Sequence, residues 1–292
     1  MYVIESTEQL IGKLDAERRA GARIGFVPTM GNLHNGHRAL VKRSVSDNEV
    51  TVVSIFVNPF QFGDGEDFSG YPRTLDQDLS ILEEEGVLVA FTPTVDTIYP
   101  GGLETATAVD VPVLGKLFCG VSRPGFFRGV CTVVNILFNL VQPDVAYFGR
   151  KDYQQLRIIE RMVSDLKMPL SIVGIETSRE ADGLAMSSRN EYLSWSERKI
   201  APLLFQELCR LSFLLEEGEA SFSVLTKEAV QRLQGCGFQP DYVHIANAVD
   251  LAEPRHGDEL VVLAAAWLGR TRLIDNVVID VGSMNTVTEK NT

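Results

Sequence analysis

The sequence predicts an α/β protein with a doubly wound parallel-sheet, Rossmann-like N-terminal domain and a smaller α+β C-terminal domain. Short apolar runs alternate with amphipathic helical segments up to about residue 176, which is typical of parallel βαβ units. Polar turns follow several of these runs, at the sheet edge where such folds bind ligands. Beyond residue 176 the alternation stops. We therefore expect domains at residues 1–176 and 177–282, followed by a polar tail at residues 283–292.

In the N-terminal domain, strands and helices are expected to alternate. Residues 50–57 are β-branched and apolar on both faces, as in a strand that is covered on both sides. The predicted strands are residues 24–27, 50–57, 87–91, 145–148 and 170–175, and the predicted helices are residues 8–20, 38–45, 74–85, 130–141 and 153–166. Residues 93–113 are expected to be irregular, and residues 118–129 to be a loop.

The C-terminal domain is expected to begin with a polar loop over residues 179–190. A long helix over residues 195–217 follows, with Ser194 or Ser196 as its N-cap. A second helix over residues 224–233 precedes three strands, at residues 242–246, 260–268 and 273–281. These elements predict a small sheet with helices packed against it.

Composition excludes several classes of protein. A formal net charge of −12 over 292 residues argues against a general nucleic-acid surface, which needs a basic stripe. The most apolar run, residues 260–268, is far shorter than the roughly 20 residues of a membrane helix. The N-terminus does not read as a signal peptide. The short apolar runs lead us to expect no membrane partner. The four cysteines lack zinc or disulfide spacing, so we expect a cytoplasmic location.

The sharpest motif is His34-Asn35-Gly36-His37, which lies between the first predicted strand and a helix. A strand–turn–helix arrangement points backbone N–H groups and a helix N-terminus at an anion. Imidazoles donate hydrogen bonds to phosphate oxygens, and a protonated imidazole meets growing negative charge. We expect this turn to hold nucleotide phosphates and to stabilise charge during transfer at phosphorus. The alternative is a pair of structural turn histidines.

Two further motifs carry phosphate-binding groups. Ser187-Ser188-Arg189 offers two hydroxyls and a guanidinium as a clamp on outer phosphates, although such a sequence is also common in solvated turns. Residues 149–152 lie at a predicted strand end, where Lys151 could reach a phosphate. Asp152 could accept ribose hydroxyls or simply cap the following helix.

Uncharged amides supply a third set of candidates. Asn58, Gln61 and Gln155 could bind hydroxyls and a carboxylate without neutralising the charge that a nucleophilic carboxylate needs. Amides near strand ends are also often structural. Asp76, Asp78 and residues 83–85 are interpreted as a solvated helix face, and Arg123 is expected to shape a loop.

At these residues the sequence resembles the pantoate–β-alanine ligase (pantothenate synthetase) family of the His-x-Gly-His nucleotidyltransferase superfamily. The similarity extends to about residue 282. Further landmarks are Tyr-Pro-Arg-Thr at residues 71–74, Phe-Arg-Gly-Val at residues 127–130, Ala-Ala-Trp-Leu-Gly at residues 265–269 and Arg-Leu-Ile-Asp-Asn at residues 272–276.

The resemblance implies a two-step reaction. The carboxylate of pantoate attacks the α-phosphorus of ATP to give pantoyl adenylate and pyrophosphate, and β-alanine then displaces AMP to form pantothenate. It also implies Mg²⁺, a cytoplasmic homodimer and a C-terminal domain that acts as a lid. Open alternatives are a related nucleotidyltransferase whose product is the adenylate, and a non-catalytic nucleotide-binding homologue.

The resemblance also assigns roles to residues. His37 is the implied acid, with His34 and Lys151 as further catalytic groups. Gln61, Gln155 and Asn58 would hold pantoate, and Gln61 would also lie near β-alanine. No residue is assigned to a metal. The implied ATP-binding residues are Met30, Gly31, Asn32, Leu33, His34, Asn35, Gly36, His37, Gly149, Arg150, Lys151, Asp152, Ser178, Met186, Ser187, Ser188 and Arg189.

Five positions depart from the residues that are usual in the family. Cys119 replaces Glu, Phe126 replaces His, Ile136 replaces Lys, Arg150 replaces Glu and Glu160 replaces Arg. One hypothesis is that Arg150 and Glu160 form a reversed version of a single charge pair. The changes between residues 119 and 136 bear on dimer contacts and on the shape of the substrate site.

Overall fold

The computed structural model describes residues 1–63, 66–218 and 221–279. The chain divides into two compact units. The N-terminal unit comprises Met1–Arg150 and Gln155–Ser178, and the C-terminal unit comprises Lys151–Gln154 together with the chain from Arg179 onward. The division at Ser178 lies two residues beyond the expected boundary, and the grouping of Lys151–Gln154 with the C-terminal unit was not predicted. The predicted tail at residues 283–292 lies outside the described residues.

In the first part of the chain strands and helices alternate, except that three helices follow the fourth strand. The strands are β1 (Tyr2–Ile4), β2 (Ile24–Thr29), β3 (Val50–Ile55), β4 (Val89–Phe91), β5 (Val145–Gly149) and β6 (Ser171–Ile175). The helices are α1 (Thr7–Arg19), α2 (Asn35–Asp47), α3 (Leu75–Glu84), α4 (Val95–Ile98), α5 (Cys119–Ser122), α6 (Phe126–Val141) and α7 (Tyr153–Asp165).

The strands of the N-terminal unit form one parallel sheet in the order β1-β4-β3-β2-β5-β6. The chain moves from β2 outward through β3 on one side, whereas β5 pairs with the other side of β2. The strand order therefore reverses between β2 and β5, and the crevice beyond their carboxyl ends is where such sheets bind ligands. From the end of β2 at Thr29 the chain leads into the His34–His37 motif, and Gly149 ends β5.

The C-terminal unit contains α8 (Trp195–Ile200), α9 (Leu203–Glu216), α10 (Phe222–Gly235), β7 (Gln239–Asn247), β8 (Leu260–Leu268) and β9 (Thr271–Ile279). The strands form an antiparallel sheet in the order β7-β8-β9. Apolar residues of α9, α10 and the sheet share one buried cluster. The predicted fold class is confirmed: a Rossmann-like parallel sheet precedes a smaller α+β unit.

Residues 93–113, expected to be irregular, contain the short helix α4. Three other sequence-based assignments were wrong, each for a physical reason. Strand β1 was missed because it is three residues long and only Ile4 is buried. The predicted loop over residues 118–129 contains α5 and the first turn of α6, which starts after Gly125 turns the chain at φ +84°. The long helix over residues 195–217 is two helices, because Pro202 cannot donate the backbone hydrogen bond that a continuous helix requires.

Helix length also bears on membrane association. Across the described residues, none of the helices combines the length and apolarity needed to cross a bilayer.

Candidate active site

The turn after β2 adopts a conformation that few residues tolerate. Gly31 has φ +81° and Asn32 has φ +50°. Thr29 donates to the Ser54 carbonyl at 2.7 Å, and its hydroxyl accepts the Gly31 N–H at 3.2 Å. A Cβ at Gly31 would lie 3.0 Å from an Asp78 carboxylate oxygen. The turn is therefore tied to β3 and pressed against α3, so its path leaves little room for any other residue at position 31.

The Asp78 carboxylate on α3 organises this turn, a role that was not predicted from the sequence. Asp78 is only 1% exposed. One carboxylate oxygen accepts the Asn32 N–H at 2.9 Å and the other accepts the Leu33 N–H at 2.8 Å. The interpretation of Asp78 as part of a solvated helix face was wrong. The signal was present, since Asp78 precedes the fully buried Leu82 by four residues and so shares its helix face.

His34 and His37 cap the N-terminus of α2 reciprocally. The Nδ1 atom of His34 accepts the Gly36 N–H at 3.1 Å, and the Nδ1 atom of His37 accepts the His34 N–H at 3.3 Å. The two ring centroids are 4.1 Å apart. An Nδ1 atom that accepts a hydrogen bond carries no proton, so this cap assigns the ring N–H of each imidazole to Nε2. The reciprocal cap therefore orients both rings with Nε2–H as the donor.

Most backbone N–H groups of the turn are already used within the N-terminal unit. The N–H groups of five residues donate to side chains of the same unit: Gly31, Asn32, Leu33, His34 and Gly36. The expectation that these groups face an anion was wrong. The two imidazoles and the helix dipole of α2 are therefore the features of the turn that suit an anion.

Asn58 is the buried centre of the amide cluster. Its Nδ2 group donates to Gln61 Oε1 and to the Gly129 carbonyl, both at 3.2 Å. Its Oδ1 atom accepts the Phe60 N–H at 3.2 Å and the Tyr99 hydroxyl at 2.8 Å. These four bonds use the ordinary capacity of an amide. The amide of Asn58, predicted to bind pantoate, is therefore engaged by groups of the protein itself, Gln61 among them.

Gln61 connects this cluster to the turn. Its Nε2 group lies 2.9 Å from the Met30 sulfur. Burial raises the pKa of Tyr99, which keeps its hydroxyl protonated as the donor to Asn58. The structure thus joins Met30, Asn58 and Gln61 in one cluster.

Gln155, on α7, is half-buried, and among the described residues its amide has no hydrogen-bond partner.

A glycine allows α6 to approach the segment that carries Gln61. A Cβ on Gly129 would overlap the Phe60 carbonyl. Gly129 lies in the first half of α6, and residues 59–61 form a short 3-10 helix. The close approach lets the Gly129 carbonyl reach Asn58.

The remaining nucleotide-binding candidates of the N-terminal unit are Ser178, Gly149 and Arg150. Ser178 lies beside the start of α2, with its Cβ 3.8 Å from the position a Cβ on Gly36 would occupy. Arg150 forms an ion pair with Glu176 at 2.6 Å.

The hypothesis of a reversed Arg150–Glu160 pair was wrong. Glu160 pairs with Arg157 at 2.7 Å, three residues away on α7, while Arg150 pairs with Glu176. Each of the two charges therefore has a different partner.

The departures near residues 119–136 have local consequences. Cys119 is buried, and Phe126 lies under the guanidinium of Arg123 at 3.6 Å from the ring centroid. Arg123 also forms an ion pair with Glu66 at 2.6 Å. These contacts join Arg123 to Phe126 and to the segment that carries Glu66.

Lys151 belongs to the C-terminal unit and lines a small cavity there. The cavity is also lined by Ser187, Asn190 and Asp275. The Lys151 side chain is 19% exposed, and its ammonium is 4.0 Å from the Asp152 carboxylate. Asp152 follows Lys151 in the single 3-10 turn that leads into α7.

The Ser187-Ser188-Arg189 loop follows a short hairpin in the chain. Arg179 and Ala185 are bridged across that hairpin, and Gly183 turns it with φ +94°. Ser187 accepts the Arg189 N–H at 3.3 Å, which caps a 3-10 helix that begins at Ser188. Met186 connects the hairpin to this cap. The loop and Lys151 are thus neighbours within one unit, an arrangement that no local motif predicts.

Comparison with known proteins agrees with this architecture. A family model described as Pantoate-beta-alanine ligase matches residues 2–278. A pantothenate synthetase from Nitrosococcus oceani is 50% identical over 286 residues, which cover 98% of this chain and 100% of that protein. A pantothenate synthetase from Shewanella woodyi is 51% identical over 278 residues, which cover 95% of this chain and 99% of that protein.

Solved structures show the same similarity. A pantothenate synthetase from Thermus thermophilus is 43% identical with a TM-score of 0.86, over 96% of this chain and 100% of that chain. A pantoate-beta-alanine ligase from Francisella tularensis, complexed with beta-gamma ATP and beta-alanine, is 32% identical with a TM-score of 0.81, over 95% of this chain and 97% of that chain. The chain therefore belongs to the pantoate–β-alanine ligase family.

Proposed function

We propose that the imidazoles of His34 and His37 stabilise charge at the α-phosphate of ATP while the uncharged amides of Gln61 and Gln155 hold pantoate. The reaction that they serve is the ATP-dependent condensation of pantoate with β-alanine, the activity of the family. The observation that carries the proposal is the reciprocal cap, which fixes both rings as Nε2–H donors. Donors fixed in advance stabilise developing charge without reorganising during the reaction.

The two steps make different demands on these residues. In the first, a pantoate carboxylate oxygen bonds to the α-phosphorus, and the bond to the β-phosphate oxygen breaks as pyrophosphate leaves. In the second, the β-alanine amine bonds to the acyl carbon, loses a proton, and displaces AMP. An amide such as Gln61 can bind a carboxylate without the tight ion pair that would weaken it as a nucleophile. Asn58, with its four internal bonds, holds the Gln61 amide for both steps.

The C-terminal unit supplies cationic and hydroxyl groups. We assign Lys151, Ser187, Ser188 and Arg189 to the phosphates of ATP, because an ammonium, hydroxyls and a guanidinium are the usual protein ligands of phosphate. Met186 leads into this loop.

The nucleoside is assigned to groups that lie near the end of β5 and the start of α2. They are Gly149, Arg150, Asp152 and Ser178. Ser178 lies beside Gly36, which supports its assignment to the adenine region.

Magnesium fits this donor set as part of the substrate. Across the described residues, no group of three His, Cys, Asp or Glu side chains is placed to hold a metal ion. Mg²⁺ commonly binds through substrate phosphates and water with only one or two carboxylates. The ion would therefore bind together with the ATP phosphates, and Lys151 and Arg189 would neutralise the negative charge that remains on those phosphates. The homodimer stays a prediction that rests on the family resemblance. The cytoplasmic location stays a prediction that rests on the same resemblance and on the spacing of the cysteines.

Pantoate-dependent exchange of labelled pyrophosphate into ATP tests the proposal. We expect exchange with pantoate and without β-alanine, and AMP release at a steady rate only when β-alanine is added. If the protein were a nucleotidyltransferase whose product is the adenylate, adding β-alanine would not change the release of AMP. A non-catalytic homologue would show no exchange of pyrophosphate into ATP.

Two substitutions complete this test. His37→Ala should lower the exchange rate by at least roughly a hundredfold with the melting temperature nearly unchanged. His244→Ala serves as the matched control, because His244 is an exposed histidine on β7 and no role is assigned to it. Equal exchange rates in the two variants would refute the role of His37.

A further inference from the structure

We propose that Asp275 and Asn276, neighbours on β9, are positioning residues that hold Lys151 and the loop at residues 187–189 in one phosphate-binding arrangement. The inference rests on the phosphate-binding roles proposed above for Lys151 and the loop. All the groups involved belong to the C-terminal unit. Neither β9 residue is assigned to a substrate, so each would act through its neighbours.

Asn276 fixes the backbone of Lys151. Its Nδ2 group donates to the Lys151 carbonyl at 2.9 Å, and Asn276 is only 6% exposed. Two residues further on, the buried Tyr153 hydroxyl donates to the Ala248 carbonyl at 2.8 Å. The segment Lys151–Gln154 is thus attached to the C-terminal unit by two hydrogen bonds. These bonds explain why it groups with that unit although the chain on both sides of it does not.

Asp275 fixes the hairpin that carries the loop. Its two carboxylate oxygens accept from the Arg179 guanidinium at 2.6 and 2.9 Å. The same guanidinium donates to the Gly183 carbonyl at 3.1 Å and stacks on the Phe205 ring at 3.4 Å. A bidentate pair between a guanidinium and a carboxylate, or fork, fixes both the distance and the orientation of the arginine. Arg179 pairs with Ala185 across the hairpin. The contact between Arg179 and Asp275 therefore fixes the direction in which the loop at residues 187–189 continues from the hairpin.

The two connections meet at one place. Lys151, Ser187 and Asp275 all line the cavity of the C-terminal unit. The carboxylate of Asp275 is engaged by Arg179, so an anion near Lys151 would meet a neutral ion pair instead of an unpaired negative charge. A strand residue that anchors the lysine and its neighbour that anchors the loop would set the spacing between the two phosphate ligands.

The binding constant of ATP and the steady-state constants of variants test this inference. Asn276→Ala should weaken ATP binding, measured by calorimetry, about tenfold, the usual effect of losing one buried hydrogen bond. The KM for pantoate should not change. Arg179→Lys should show the same selective loss, because a lysine keeps the charge but not the fork. A fall in melting temperature without a change in ATP binding in both variants would overturn the inference.

Thr271→Val is the matched control on the same strand. Thr271 is 1% exposed, and among the described residues its hydroxyl has no hydrogen-bond partner. The control should leave ATP binding within about twofold. A loss equal to that of Asn276→Ala would show a general effect of disturbing β9 and would contradict the positioning role.

A double-mutant cycle separates this inference from the proposed function. If Asn276 acts through Lys151, Asn276→Ala should have no further effect on ATP binding in a Lys151→Ala protein. Fully additive losses would overturn the positioning role alone. If Lys151→Ala by itself left ATP binding and turnover unchanged, the assignment of Lys151 to phosphate would fail instead.

Discussion

Replacing Asp78 by asparagine should impair catalysis although Asp78 touches no substrate in the proposed mechanism. The carboxylate accepts two N–H groups of the His turn, at 2.9 and 2.8 Å. An asparagine can accept from only one of them and turns its own NH2 group toward the other. A hydrogen bond to a charged acceptor contributes about 1.5–3 kcal/mol. The substitution should therefore cost the turn about 2–3 kcal/mol.

That cost converts directly into activity if the turn must be intact for both histidines to act. We expect kcat/KM for ATP to fall roughly 30- to 150-fold. The assay is pantoate-dependent pyrophosphate exchange, followed alongside thermal unfolding. Asp76→Asn is the matched control, because Asp76 is exposed in the first turn of the same helix. Its loss should be confined to a helix-dipole effect of about 0.3–1 kcal/mol on stability.

A kcat/KM within about twofold of the unaltered protein in Asp78→Asn would refute this reasoning. It would show that the turn keeps its geometry without the carboxylate. A large fall in Asp76→Asn would refute it as well, because α3 would then matter for a reason other than its contact with the turn.

Three further predictions follow from close contacts. Gly129→Ala should raise the KM for pantoate severalfold and lower the melting temperature, since a Cβ there overlaps a neighbouring backbone carbonyl. Tyr99→Phe should cost about 1–2 kcal/mol in denaturant unfolding, because a buried Asn58 oxygen loses a donor. Arg198 lowers the pKa of Asp182, so their pair stabilises the fold at neutral pH and that stabilisation is lost as the pH falls below about 4. Asp182→Asn should therefore lower stability by under about 1 kcal/mol at neutral pH and by nothing in strong acid.

Each of these predictions has an internal control. Gly12→Ala on α1 meets no atom within 4 Å and should be neutral or stabilising, in contrast to Gly129→Ala. Tyr2→Phe, at an exposed position, should leave unfolding unchanged. For the Asp182 pair, added salt should reduce the difference at neutral pH. Loss of stability in either control, or a difference that grows with salt, would contradict the corresponding explanation.

Local sequence patterns predicted much of the fold. The β-branched run that forms β3 and the apolar–polar period of α1 and α3 are properties of short segments, and the structure confirms them. The position of the His34–His37 motif between a strand and a helix is also predictable, because the adjacent residues carry the patterns of both elements. These features need no knowledge of distant residues.

The parts that could not be predicted depend on contacts between distant residues. Asp78 reaches Asn32 across 46 positions, and Asn58 reaches Gly129 across 71. Asn276 reaches Lys151 across 125 positions. Nothing in a local pattern states which buried polar side chain will satisfy which backbone group. The internal use of the N–H groups in the turn was missed for the same reason.

The fate of the pantoate carboxylate oxygens tests the central claim most directly. When pantoate carries ¹⁸O in its carboxylate, the bond between that oxygen and the α-phosphorus survives the second step, because β-alanine attacks the acyl carbon. The reaction catalysed by this chain should therefore leave one ¹⁸O atom in each AMP formed, as measured by mass spectrometry. Unlabelled AMP from labelled pantoate would contradict the adenylate route and with it the roles proposed for His34, His37 and Gln61.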